Sequence, residues 1–215
     1  MRKLALSDEI LMKVDKAARY IGGEVNSVMK DKNNVDIRFA MCFPDVYEIG
    51  MSNLGMMILY NMFNEREDVW CERVFSPWLD LDKIMREKHI PLFALESQEP
   101  VKEFDFLGIT LGYEMCYTNV LQVLDLSNIS LLAKDREEND PIVIGGGACA
   151  YNPEPIADFF DIFYILCPYC LSPGELVFRS IQTFSAYLKY RFTFWRIIHK
   201  FECSLLAELN RPIFS

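Results

Sequence analysis

The sequence predicts an α/β domain built on a doubly wound, mainly parallel, Rossmann-like sheet with a short helical C-terminal tail. Three observations favour this fold class. Apolar segments of strand length alternate with segments of about ten residues whose apolar positions recur at helical spacing. Short loops join these segments, as in βαβ units with right-handed crossovers. The chain has 215 residues, 51% of them hydrophobic, which is enough for one complete α/β domain and a small appendage.

The predicted elements follow one another in a regular order. An amphipathic helix over 7–20 lies outside the sheet. The first strand, 37–43, ends at Pro44, and a polar turn leads into a helix over 54–62. Further strands are predicted at 69–75, 92–95, 104–111, 141–144 and 161–165, with helices at 79–88 and 117–126. Strands that are apolar on both faces, such as 104–111, are typical of a buried parallel sheet.

Composition divides the chain into three regions. Residues 1–34 form an N-terminal helix and linker, residues 35–165 form the Rossmann-like domain, and residues 166–215 form an atypical basic and aromatic tail. The tail has six Lys or Arg against three Asp or Glu, although the whole chain carries a net charge of −9. We expect residues 176–201 to be helical and loosely packed. A truncated or frameshifted reading frame explains this change in composition after residue 165, and a natural short tail is the alternative.

Charge and hydropathy exclude several classes of protein. The acidic balance argues against a nucleic-acid binder, because such proteins need clustered Lys and Arg. The N-terminus reaches Asp8 and Glu9 before the apolar segment of a signal peptide can form. No apolar run reaches the length of about eighteen residues that a membrane span needs. We therefore expect a cytoplasmic protein whose seven Cys residues are reduced thiols or ligands.

Three loops at the carboxyl ends of predicted strands form the candidate site: 45–50, 112–118 and 145–152. Ligands of open α/β sheets bind in this position, and glycines let them approach the backbone. Tight, capped turns without a ligand are the alternative interpretation. The glycine-rich turn matches neither the Walker A nor the dinucleotide-binding pattern. The candidate contact residues are Asp45, Tyr47, Gly50, Ser52, Thr110, Gly112, Tyr113, Gly145, Gly146 and Gly147.

Four segments carry a family resemblance. They are PDVYEIGMSNLG (44–55), ERVFSPW (72–78), LESQEP with FDFLGITLGYEMCYTNVLQVLDL (95–100 and 104–126), and PIVIGGGACAYNPEPIADFFDIF (141–163). Together they resemble the N-terminal region of a clostridial-type family of B12-binding radical S-adenosylmethionine (SAM) proteins. In that family a cobalamin-binding-like Rossmann domain precedes the iron–sulfur barrel. The resemblance covers residues 17–165.

The resemblance implies a corrinoid site built on a D-x-H-x-x-G loop, a small hydroxyl residue and a Gly-Gly pair. The resemblance places Asp45 to Gly50 at the D-x-H-x-x-G loop. It places Thr110 at the small hydroxyl residue, and Gly145 with Gly146 at the Gly-Gly pair. Tyr47 takes the place of the histidine. A phenol, whose pKa is about 10, is a poor axial ligand for cobalt. The implied cofactor is therefore cobalamin without a protein imidazole, or the fold is retained without the cofactor.

The resemblance also implies a 4Fe–4S cluster and S-adenosylmethionine for full-length members of the family. Their C-x-x-x-C-x-x-C motif is not among the cysteines of this chain. We therefore predict no catalytic residues here and an accessory role beside a radical SAM barrel in cis or in trans. A docking or structural domain without a small ligand is one alternative.

The tail offers two further interpretations. Cys167-Pro168-Tyr169-Cys170 follows a predicted strand and precedes a predicted helix, an arrangement that thiol–disulfide redox proteins use to place a thiolate. The same two thiols could instead form a zinc site with His199 and Cys203, whose spacing is tolerable for a metal.

Overall fold

The computed structural model describes residues 4–165 and 175–178 of the chain. Its centre is a sheet of five parallel strands in the order β2-β1-β3-β4-β5, with the short β6 paired antiparallel to β5. The strands are β1 (Ile37–Phe43), β2 (Val69–Phe75), β3 (Phe106–Thr110), β4 (Ile142–Gly146), β5 (Ile162–Ile165) and β6 (Glu175–Phe178). The chain reverses its direction across the sheet between β1 and β3, so the topological switch point lies there.

Helices flank both faces of the sheet, as the doubly wound prediction requires. They are α1 (Asp8–Leu11), α2 (Ala18–Ile21), α3 (Tyr47–Met51), α4 (Leu54–Asn64), α5 (Leu79–Lys88) and α6 (Tyr117–Leu126). On one face, Leu81 of α5 and Val120 of α6 pack with Leu107 and the N-terminal segment. On the other, Met56 and Tyr60 of α4 join a second apolar cluster. The α/β Rossmann-like fold is confirmed.

Most strand predictions are correct, because apolar runs bounded by turn residues identify buried strands. The predicted segment 92–95 is not a strand, however. Within its own loop, Ala94 N donates a hydrogen bond to Glu99 O at 3.0 Å. On the outer side of β2, Leu95 N donates to Arg73 O at 2.8 Å. These hydrogen bonds replace a strand ladder.

Two helix predictions are also wrong. The segment 7–20 is broken into α1 and the start of α2, because Asp15 N donates to the Asp80 carboxylate at 2.8 Å instead of continuing a helix. The helix predicted over 176–201 is contradicted at its beginning, where residues up to Phe178 pair with β5 as strand β6. The rest of that prediction lies outside the described residues. The loop 45–50, predicted as a turn, contains the start of α3.

Side chains occupy the outer edge of β2. Asn64 donates to Cys71 O at 2.9 Å and accepts from Cys71 N at 3.0 Å. The Lys30 ammonium donates to Val69 O at 2.6 Å, and Glu96 accepts from Arg73 N at 2.7 Å. An open strand edge invites pairing with another chain. These contacts close that edge.

The amino ends of the parallel strands are acidic. An aspartate stands one or two positions before each of the five: Asp36, Asp68, Asp105, Asp140 and Asp161. Two of them extend the sheet's hydrogen bonding, since the Asp105 carboxylate accepts from Arg38 N and the Asp161 carboxylate from Val143 N, both at 2.8 Å. Three of the five form ion pairs, Asp68 with Arg66, Asp140 with Lys102 and Asp161 with Arg136. The amino edge therefore holds paired charges, whereas the carboxyl edge holds the predicted site.

Candidate functional site

Asp45 lies at the centre of the carboxyl edge. One carboxylate oxygen accepts from Val46 N at 2.7 Å, and the other accepts from the Tyr113 hydroxyl. The backbone carbonyl of Asp45 accepts from Ser76 N at 3.0 Å, just after β2. The Asn119 amide of α6 donates to Pro44 O at 3.0 Å. The loop after β1 is thus tied to the chain that follows β2 and β3, across the switch point.

The Asp45–Tyr113 contact brings together two residues that the sequence predicted for the site. The hydrogen bond to the Asp45 carboxylate, together with burial, raises the pKa of Tyr113 to about 12. The phenol therefore stays protonated at neutral pH and serves as a donor. It links the loops after β1 and β3 and is not a ready base.

Tyr47, which stands where the resemblance implies a histidine, contacts the N-terminal segment. Its hydroxyl donates to Glu24 at 3.0 Å, and its ring lies edge-on to Phe75 with 5.5 Å between centroids. Burial and the Glu24 carboxylate raise the pKa of Tyr47. A protonated phenol that is already engaged by a carboxylate does not suit cobalt coordination.

Protein side chains and backbone surround three of the predicted glycines. A Cβ added to Gly50 would overlap the Phe75 ring, and one added to Gly145 would lie 2.9 Å from Phe163 and 3.0 Å from Phe160. Gly147 has φ +116° and would place a Cβ 2.7 Å from Leu111 O. These three glycines are therefore explained by packing and backbone conformation.

The remaining predicted residues are more open. Gly112 would have no atom within 4 Å of an added Cβ, and Gly146 only Tyr164 O at 3.8 Å. Thr110 ends β3 directly opposite Gly146. Ser52 is exposed and donates to Ile49 O at 2.8 Å. It does not cap α4, because Asn53 accepts from Met56 N at 2.9 Å in that role.

The residues present do not fit a corrinoid held as the resemblance implies. Phe160 and Phe163 fill the space beside Gly145, one of the Gly-Gly pair that the resemblance assigns to the corrinoid's nucleotide tail. The Tyr47 hydroxyl is bound to Glu24. The Tyr113 hydroxyl is hydrogen-bonded to Asp45, a residue of the loop that the resemblance assigns to the corrinoid. Among the predicted glycines, Gly112 and Gly146 are the ones with open space beside them.

A buried ion pair links two segments that carried the resemblance. Arg73 of β2 donates from Nε to Glu96 at 2.6 Å, and both side chains are fully buried. Burial raises the pKa of Glu96, and Arg73 offsets part of this shift. Arg73 also donates to Ser27 Oγ at 2.9 Å and lies over the Tyr60 ring.

A second network runs parallel to the first. Arg38 of β1 pairs with Glu72 at 2.7 Å and with Glu99 at 2.6 Å, and its guanidinium lies over the Phe104 ring. Gln98 donates to Tyr20 O at 3.1 Å and accepts from Ala5 N at 3.2 Å. These contacts attach the N-terminal segment to the sheet.

Sequence reasoning assigned no role to either network. The available signal was charge inside an apolar strand, as in Glu72-Arg73, together with the acid-rich segment 96–99. Buried charges are nearly always paired, so those two segments were candidates for mutual contact.

Further ion pairs fix the N-terminal segment to the site. Glu48 of α3 accepts from Arg19 at 2.9 Å and from Lys16 at 3.1 Å. The Arg19 hydrogen bond is the largest cause of a pKa of about 2 for Glu48. The carboxylate is therefore ionised throughout the neutral range.

The described cysteines have the properties of packing residues. Cys42, Cys71 and Cys116 are buried and Cys149 is half-buried, all as free thiols. Burial raises the pKa of each, so these thiols stay protonated at neutral pH. Within residues 4–165 and 175–178, no group of three His, Cys, Asp or Glu side chains is arranged to hold a metal ion. The predicted redox pair Cys167 and Cys170, and its zinc alternative with His199 and Cys203, lie outside the described residues.

Two comparisons with known proteins bear on identity. Residues 55–165, more than half of the 215-residue chain, match the family described as "Radical SAM proteins, N-terminal". The chain belongs to this family. The match confirms the radical SAM part of the resemblance and leaves the corrinoid a prediction.

Among the described residues, no helix has both the length and the apolar character needed to cross a membrane.

A curated relative is much longer than this radical SAM N-terminal chain. It is an uncharacterized protein of Methanocaldococcus jannaschii, 28% identical over 129 residues. The aligned region covers 59% of the chain and 23% of the relative. The chain therefore spans less than a quarter of the relative's length.

Proposed function

We propose that the chain serves as the N-terminal accessory domain of a radical SAM protein and that it does so without holding a corrinoid. Membership of the family supports the first half of the proposal. The observation that carries the second half is the packing of Phe160 and Phe163 against Gly145. That glycine provides room for the protein's own rings.

In this accessory role, the domain holds the loops at the carboxyl edge of its sheet in place and presents them to the rest of the radical SAM protein. The Asp45–Tyr113 hydrogen bond and the Asn119–Pro44 hydrogen bond hold the loops at the carboxyl edge in fixed positions. The Arg73–Glu96 pair and the Glu48 contacts hold the N-terminal segment against the same domain. Rigid elements position a functional surface more accurately than loops alone.

The test is a titration of the purified full chain with hydroxocobalamin, followed by visible spectroscopy and calorimetry. We expect neither saturable heat nor a spectral change for the wild-type chain. Free imidazole, which can ligate the cobalt, provides the positive control for the spectral change. Saturable binding that Gly146→Trp abolishes would overturn the corrinoid-free role and establish the site that the family resemblance implies.

A gain-of-ligand variant sharpens this test. Tyr47→His restores the D-x-H-x-x-G pattern, with Asp45 and Gly50 already in place. We expect it to remain without cobalamin, because the rings beside Gly145 are unchanged. A histidine-ligated cobalamin spectrum in this variant would show that the crevice admits the corrinoid and that only the axial ligand is missing.

A further inference from the structure

Exposed apolar side chains collect at the carboxyl edge of the sheet. Leu54 begins α4, Leu79 begins α5, and Met115 lies between β3 and α6. Helices that follow parallel strands begin at this edge, so these residues share one end of the domain. We call this set the carboxyl-edge surface: Ile49, Leu54, Trp78, Leu79, Tyr113 and Met115.

These side chains are exposed and follow the carboxyl ends of three neighbouring strands, β2, β1 and β3. Met115 is 86% exposed, and Leu54 and Leu79 are each 72% exposed. Single exposed apolar residues need no explanation, but a group at one end of a domain marks an interaction site. The opposite end carries the five strand-preceding aspartates, three of which form ion pairs with Arg66, Lys102 and Arg136.

The direction of the chain after β5 indicates which partner covers the carboxyl-edge surface. The family match ends at residue 165, which is also the last residue of β5. Because β5 is parallel to β1–β4, it too ends at the carboxyl edge. The curated relative has more than three quarters of its length outside the region shared with this chain. In a longer family member, the polypeptide that follows β5 therefore starts at the same edge of the sheet as the carboxyl-edge surface.

We propose that the carboxyl-edge surface docks against the iron–sulfur barrel of a radical SAM protein. This inference rests on the proposed accessory function and names its partner. Interfaces between domains bury roughly 600–1,500 Å², an area that a cluster of apolar side chains flanking a sheet edge can supply. The Asp45–Tyr113 bond would lie within the interface and hold two of its loops together.

The experiment measures retention of the full chain by a tagged barrel. The probe is the part of the Methanocaldococcus relative outside the aligned region, which the proposal takes to contain such a barrel. It is produced anaerobically with iron and sulfide and checked by its iron–sulfur absorbance. We expect it to retain the wild-type chain. Leu54→Lys with Met115→Lys should lower the retained amount at least roughly tenfold, since charge at the centre of an apolar interface removes most of the binding.

The matched control is Met29→Lys. Met29 is 54% exposed, and the next residue, Lys30, contacts Asn64 at the end of α4 and Val69 at the start of β2. It therefore lies at the opposite end of the sheet and should leave retention unchanged. Circular dichroism of all variants must match the wild-type chain.

Three results would overturn the docking surface. They are failure of the barrel to retain the wild-type chain, equal loss with Met29→Lys, and a dimer of the chain alone that Met115→Lys dissociates. The last result would assign the surface to a second copy of the chain. None of these results changes the outcome of the cobalamin titration. The two experiments therefore distinguish failure of the docking proposal from failure of the proposed function.

Discussion

Arg73 and Glu96 form a fully buried ion pair in which one carboxylate oxygen accepts from the guanidinium Nε at 2.6 Å and the other from the Arg73 backbone N–H at 2.7 Å. The pair joins β2 to Glu96, which directly follows the segment 92–95 that the sequence predicted as a separate strand. It satisfies the exposed backbone edge of β2 and anchors the N-terminal segment through Ser27. Its importance for stability can be measured directly.

We expect Glu96→Ala to lower the free energy of unfolding by about 3–5 kcal/mol, because it leaves the buried Arg73 guanidinium with only its longer, 3.4 Å contact to the Glu24 carboxylate. Urea denaturation of both proteins measures the change. The double variant Arg73→Met with Glu96→Leu should recover most of the loss, since it removes both buried charges. A double variant as unstable as the single one would show that packing, and not the unpaired charge, dominates.

Gly145 and Gly146 are adjacent and differ in what surrounds them. A Cβ at Gly145 meets Phe163 at 2.9 Å, whereas a Cβ at Gly146 meets nothing closer than 3.8 Å. Gly145→Ala should therefore destabilise the domain by about 1–3 kcal/mol through overpacking, and Gly146→Ala by much less. Thermal unfolding of the two variants compares them. Equal stability would indicate that the space beside Gly145 is open, which would favour the corrinoid.

The fold was largely predictable, and the site only in part. Apolar runs ending at turn residues located β1 and β2, since strand burial depends on local pattern. The segment 92–95 has the same apolar character, but its hydrogen bonds go to β2 and to its own loop. The sequence placed Asp45 and Tyr113 in two loops of one candidate site, and their direct hydrogen bond was not predicted. The partners of Tyr47 and Gly145 were not predicted either, because Glu24 and Phe163 are distant in sequence and local pattern does not identify such contacts.

Glu48 makes part of the stability depend on pH. Its pKa falls from an ordinary 4.5 to about 2 in the folded chain, chiefly through the Arg19 hydrogen bond. A lowered folded-state pKa gives stability that is present above about pH 4.5 and lost as pH falls toward 2. Glu48→Gln should flatten the acid limb of the unfolding free energy in that range. Urea denaturation at several pH values measures this limb.

The control for Glu48 is Glu87→Gln, which removes an exposed carboxylate whose lysine contact is 3.9 Å long. It should leave the acid limb almost unchanged. High salt should also weaken the Glu48 contribution, because exposed ion pairs are screened. An acid limb identical in Glu48→Gln and the wild-type chain would show that the contacts to Arg19 and Lys16 do not persist in solution.

Asp45 controls the protonation of Tyr113 across the switch point. The Tyr113 hydroxyl donates to the carboxylate, and this bond raises the pKa of Tyr113 to about 12. Asp45→Asn replaces the anion with a neutral amide, so the pKa of Tyr113 should fall toward its ordinary value of about 10. An ultraviolet pH titration of tyrosinate, with Tyr113→Phe subtracted to isolate this phenol, measures the shift. An unchanged titration in Asp45→Asn would mean that the loops after β1 and β3 are not joined by this bond, and the carboxyl-edge surface would then lose the contact that holds Tyr113 in place within it.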